Sequence, residues 1–363
     1  MERNQNRETH FDILRILSTV AFVVMLVAFR GFKLGDAGTS RVLNAYLALS
    51  SFGMPMFILL SGAFLADPNR PFTVKGYVRR ILRLLIPMVV WAVLYAGISV
   101  LMTGVPQGMG VFKFLKEFFK LAFLSRYHIA YLFAMLGLYL AIPLFRQIAK
   151  CKHTTEWFLL LALVFAWLIP TLQLIPSVWK LNYILEQLQL HVCLGYGGLF
   201  LLGWYLRAHP LKKAWRIVLY VAAACCVAAL YCFFRYYSFS YADLPVYNRN
   251  YLPQVVIVAA IFVFFANVGA KWSFSDNARR RIAQLSGASY GVYLISVMVA
   301  AFLGWFGSFL SLVFPSVDPT AGLTATSFAP IVAVPVTALA VLLISYPISL
   351  LVRKIPVVGK YLM

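Results

Sequence analysis

Residues 11–29 read FDILRILSTVAFVVMLVAF. Nineteen residues at a helical rise of about 1.5 Å each cover a bilayer core of about 30 Å. The stretch therefore reads as a membrane-crossing helix rather than a core helix of a soluble domain. Its two charges, Asp12 and Arg15, sit near its start and three residues apart, so a helix puts them on one face, where they can pair. Thr9 with Asp12 fits the Ser/Thr-x-x-Asp/Glu pattern that caps a helix start. An ionisable group at the bilayer centre costs roughly 2.5–3.5 kcal/mol and marks function. One turn from the surface, an arginine can instead reach back to the headgroups.

Composition extends this reading to the whole chain. Of 363 residues, 62% are hydrophobic and 12% charged, with mean hydropathy +0.84. A soluble globule carries about twice that charge. Further apolar stretches follow at about 44–66, 84–102, 127–145, 157–179, 191–206, 217–234, 251–267, 288–313 and 328–352. The sixth and eighth are short. The expected fold is all-α: a polytopic transmembrane bundle of about ten helices, one domain over 1–363. With the N-terminus inside, Lys and Arg favour the inside segments by about two to one, which predicts both termini to be cytoplasmic. The net charge of +21 is then mostly topological, and nucleic acid is not an expected partner. No Walker A loop, G-x-G-x-x-G run or metal-ligand spacing is present, and the five cysteines read as small packing residues.

Residues 111–124, VFKFLKEFFKLAFL, alternate Phe112, Leu115, Phe119 and Phe123 with Lys113, Lys116 and Lys120, the pattern of an amphipathic helix lying in the outer interface of the membrane. Residues 235–250, RYYSFSYADLPVYNRN, are aromatic and polar, which suits either a sugar or an interfacial tyrosine belt. Within FGMPMFILLSGAFL (52–65), Pro55 and the pair Ser61–Gly62 predict a bend near a site or a close helix contact, since proline and glycine free backbone groups that neighbours or a water-filled cavity must satisfy. The most basic segment runs from Asp67 to Pro87. Arg79 and Arg83 are four apart and Arg80 and Arg83 three apart, so guanidinium forks suited to phosphate oxygens face the expected cytoplasmic surface. Anionic membrane lipid fits the same pattern.

FDILRIL, FGMPMFILLSGAFL, YVRRILRLLIPMVVWAVLY, YHIAYLFAMLGLYLAIPLFR, GYGGLFLLGWYL and SYGVYLI, in that order, resemble the membrane acyltransferase-3 family. The resemblance implies a bacterial inner-membrane protein with ten transmembrane helices. Such a protein would move an acyl group, often acetyl, from cytoplasmic acyl-CoA to a hydroxyl of an extracytoplasmic glycan or lipid-linked saccharide. It implies acetyl-CoA as donor and no metal. It assigns Arg15 to the arginine of an Arg-x10-His motif, Arg80 and Arg83 to a pair that holds CoA phosphates, and Ser61 and Gly62 to a Ser–Gly motif.

Three motif positions depart from the family. The expected histidine falls on Leu26, beside Val27. The fourth-span His-Leu-Trp-Tyr reads His128-Ile129-Ala130-Tyr131, and the ninth-span Tyr-Leu-Ile-His ends in Ser296. Removing a proton from a hydroxyl needs a base that leucine and valine cannot supply; such a base is worth about 10²–10⁴ in rate. His128, Glu186 and His191 are the titrating groups expected on the outer side that could replace it. The alternative is a catalytically silent member that binds a partner or scaffolds envelope assembly.

Overall fold

The computed structural model describes residues 8–31, 37–103, 110–123, 127–172, 190–236, 251–313 and 330–355, and among these there are helices and turns but no strand. Glu186 and the loop 237–250 lie outside the described residues.

The helix α1 (Thr9–Gly31) spans the sequence's deciding stretch. Beside it, α2 (Ala37–Ser50) and α3 (Gly53–Leu65) together make one crossing, interrupted at Ser51–Phe52. Pro55 has no N–H for the carbonyl four residues back, which is Ser51 O. That freed carbonyl accepts from the Gln254 side-chain amide at 2.9 Å. In place of the expected bend, the helix breaks at Ser51–Phe52 and runs on through Pro55, and the neighbour that satisfies the freed carbonyl is a buried glutamine 203 residues away.

The helix α4 (Val74–Thr103) starts ten residues earlier than the apolar run suggests, because its first turns are the basic segment itself. The amphipathic α5 (Val111–Phe123) packs against it, with Phe112, Leu115 and Phe119 exposed and Phe123 half-buried. The fourth crossing is bent by 60° between α6 (Tyr127–Leu140) and α7 (Ile142–Ile148). Pro143, in the first turn of α7, cannot donate to the turn before it. Next, α8 (Lys152–Leu161) continues through a π-helical stretch, Ala162–Leu168, into a last turn, Ile169–Leu172. The remaining helices are α9 (Leu190–Ala208), α10 (Lys213–Tyr236), α11 (Leu252–Asn267), α12 (Asp276–Val313) and α13 (Pro330–Lys354).

Among the described residues, eight helices are long and apolar enough to cross a membrane, or nine with the bent α6–α7 pair. The nineteen-residue α9 covers the sixth apolar stretch. The chain is an all-α, multi-pass membrane protein. Asp12 of α1 meets Ser286 near the start of α12, and Arg353 near the end of α13 bonds Gln284 O. The first helix therefore begins, and the last ends, on the same side of the bundle.

The centre is α3 against α9. A Cβ added at Gly62 would collide with the Phe200 carbonyl, and one at Gly203 with the Leu59 carbonyl. The two backbones touch because both positions lack a side chain, the small-residue packing that membrane helices use. Cys151, before α8, and Cys225 and Cys232 of α10 are exposed, so the packing role expected of the cysteines does not hold for these three.

Candidate functional site

Arg15 lies six residues into α1, about 9 Å along its axis. Its guanidinium Nη1 is 3.7 Å from Asp12 Oδ1 and donates to Ser286 Oγ at 3.3 Å. Ser286 Oγ in turn donates to Asp12 Oδ1 at 2.6 Å. Asp12 is buried, with 7% of its side chain exposed, whereas Arg15 retains 36%. A buried carboxylate needs partners for its charge, and here it has a guanidinium and a hydroxyl. The i,i+3 pairing read from sequence is present. The capping role of Thr9 is not: Thr9 is the first helical residue, and the amides of Phe11 and Asp12 reach the Glu8 carbonyl. The carboxylate of Asp12 faces α12 because that is where its hydrogen-bond donor lies.

Around this group the same end of the bundle is closed by paired charges. Arg207 of α9 pairs with Glu8 and reaches Asp67 at 3.9 Å, and its guanidinium lies 4.6 Å from the Phe64 ring centre. Arg146 of α7 donates to the Pro68 and Arg70 carbonyls. These arginines tie α1, α3, α7 and α9 together.

Arg79, Arg80 and Arg83 differ: all are exposed on α4, and among the described residues none has an ion pair or a hydrogen bond. The buried residues of α4 are Leu84, Pro87, Met88, Ala92, Tyr95 and Ala96. At about 100° per residue, Arg79 and Arg83 point nearly opposite to that packed face, while Arg80 sits on its flank. One further tie holds α4 to α12: Tyr95 accepts from Met298 N at 3.1 Å and donates to Leu294 O at 2.7 Å.

Leu26, eleven residues after Arg15, falls on the same face of α1 about 16.5 Å further on. It is partly buried and packs against the core, and Val27 is 5% exposed within it. Ser296 is buried and donates to Tyr293 O at 3.2 Å. Ser61 is partly buried and Gly62 fully so, the latter at the α3–α9 contact. His128 and His191 lie in the first turns of α6 and α9, with side chains outside the described residues.

Sequence reasoning missed the polar station midway through the bundle. Tyr131 donates to Met54 O, and its ring stands 6.1 Å from Tyr293 and 6.3 Å from Tyr196. Tyr293 stacks obliquely on Phe22 at 4.4 Å. Gln254, fixed by donating to Ser51 O, has no partner for Oε1 among the described residues. Leu252 N donates to the Thr171 hydroxyl at 2.8 Å. Pro55 signals the freed carbonyl, but no local pattern signals Gln254.

A family model described as an acyltransferase domain, of the acyltransferase-3 type, matches residues 9–350. No curated protein and no solved structure matches the chain.

Proposed function

Because the chain belongs to the acyltransferase-3 family, we propose that it transfers an acyl group, acetyl in the first instance, from cytoplasmic acyl-CoA to a hydroxyl of an extracytoplasmic glycan or lipid-linked saccharide. The setting is a bacterial inner membrane, with both termini cytoplasmic. The observation that supports this reading is the Arg15 guanidinium, braced by buried Asp12 and Ser286 at the end of the bundle where Arg80 and Arg83 stand without partners among the described residues.

In this reading Arg80 and Arg83 take the CoA phosphates, and Ser61 and Gly62 lie beside the path of the acyl chain. Arg15 polarises the thioester carbonyl as negative charge builds on its oxygen. The acceptor hydroxyl attacks the carbonyl carbon. An ester C–O bond forms, the C–S bond breaks, and CoA leaves as a thiol once the hydroxyl proton has been passed to a base and on to sulfur. His128 and Glu186 are the residues proposed to take that proton. No acyl-enzyme is required.

The deciding experiment incubates purified protein with radiolabelled acetyl-CoA and candidate glycans, following thioester loss and label on the glycan together. Transfer is expected; neither thioester loss nor transfer with any acceptor would sink the reading. A second reading, a silent member acting as a binding partner, is favoured by the apolar packing of Leu26 and Val27. Leu26→His separates the two: a silenced site gains transfer by about 10²–10⁴, whereas a site already using another base gains little.

A further inference from the structure

We infer that the outward face of α4 at its basic end holds the phosphate headgroup of an anionic phospholipid. Lys75, Arg79 and Arg83 follow one another at intervals of four and are all exposed, so they form one row along the helix. At about 100° per residue, that row continues into Val90, Leu94 and Leu101 within a sector of about 100°. Those three side chains are also exposed, at 40%, 42% and 85%. The same face is thus cationic at one end and apolar for the rest of its length. The opposite face, through Leu84, Met88 and Tyr95, carries the packing.

The axial spacing fits a bilayer. Arg83 to Leu101 is about 27 Å of helix, close to a hydrocarbon core of about 30 Å. With the apolar part of the face in that core, Arg79 and Arg83 stand at the phosphate level of one leaflet. The exposed Lys113, Lys116 and Lys120 of α5, which follows the far end of α4, mark the other interface. The guanidiniums need no snorkelling to reach phosphate.

Charge decides the occupant. Arg146 and Arg207, at the same end, are satisfied by carbonyls and carboxylates of the protein. Lys75, Arg79 and Arg83 have no such protein partner among the described residues. An anionic headgroup matches the cations, and its acyl chains match the apolar run below them. A free phosphate would leave that run unexplained. Arg83 belongs with Arg80 to the CoA end of the proposed reaction, whereas Lys75 and Arg79 do not, so the lipid site rests on those two and stands whether or not acyl transfer occurs.

The test is native mass spectrometry of the full chain in a nonionic detergent with equal amounts of dioleoyl phosphatidylglycerol and dioleoyl phosphatidylcholine. Phosphatidylglycerol adducts should predominate. Lys75→Ala and Arg79→Ala should each weaken them about fivefold, while Arg79→Lys and the distant Arg279→Ala keep them. Equal retention of the two lipids, or unchanged adducts in both alanine variants, overturns the inference. Loss of coenzyme A affinity in Lys75→Ala and Arg79→Ala also overturns it, assigning the row to a free phosphate donor. All the substituted residues are exposed, and a far-ultraviolet spectrum confirms that the variants are folded.

Discussion

Two cationic regions lie at the same end of this bundle, and they are built in opposite ways. Around α1, α3, α9 and α12, Arg15, Arg146 and Arg207 are held by Asp12, Ser286, Glu8, Asp67 and backbone carbonyls. Along the start of α4, Arg79, Arg80 and Arg83 are exposed and have no protein partner among the described residues. The residue type is the same, but its surroundings separate charge that fastens helices from charge that is open to a ligand. The first kind should answer to stability measurements and the second to binding measurements, which makes the contrast breakable.

The largest effect is expected in the fastened region. Gly62→Ala places a methyl group against the Phe200 carbonyl, so α3 and α9 must separate. The loss should reach at least about 3 kcal/mol, the upper end for overpacking, read as a fall in thermal unfolding temperature in detergent. Wild-type stability would show that the seam yields more easily than its geometry implies. Next, Asp12→Ala removes the buried carboxylate, taking the acceptor from the Ser286 hydroxyl and the counter-charge from Arg15, which keeps its bond to Ser286 Oγ. Because Arg15 remains partly exposed, the loss should be about 2–3 kcal/mol rather than that of a fully buried pair. Asp12→Asn should recover part of it by accepting the Ser286 hydrogen bond.

The smallest stability effect belongs to α4. Arg80→Ala and Arg83→Ala should each change stability by less than about 0.5 kcal/mol while lowering coenzyme A affinity about tenfold, roughly 1.4 kcal/mol, measured by calorimetry in detergent. An unfolding penalty like that of Asp12→Ala would erase the distinction between the two regions. Unchanged coenzyme A binding would keep the distinction but remove the ligand assigned to the open one.

Much of this architecture is legible from residue spacing. Asp12 and Arg15 are three apart, and local geometry is enough to pair them. Pro55 announces an unfilled carbonyl because proline's missing N–H is a property of the residue itself. The alternation of Phe and Lys over 111–124 likewise gives an exposed amphipathic helix without knowledge of its neighbours. What escapes is whatever depends on which helices become neighbours. Ser286, 274 residues from Asp12, becomes a partner only when α12 lies against α1. Gln254 resembles any polar residue near a helix start until it is found beneath Ser51 O. The direction of Arg83 cannot be read from its own run either, since the packed face of α4 is set by contacts with α6 and α12. Leu26 is different again: its register with Arg15 is visible in the sequence, but only the fold shows it packed against the core.

That α1 starts and α13 stops on one side of the bundle has a practical consequence. Complementary fragments of a split fluorescent protein, fused one to each terminus, would emerge into a single compartment and reassemble there. Moving one fragment to a connection at the opposite end, such as that between α1 and α2, would leave the halves dark on either side of the lipid barrier.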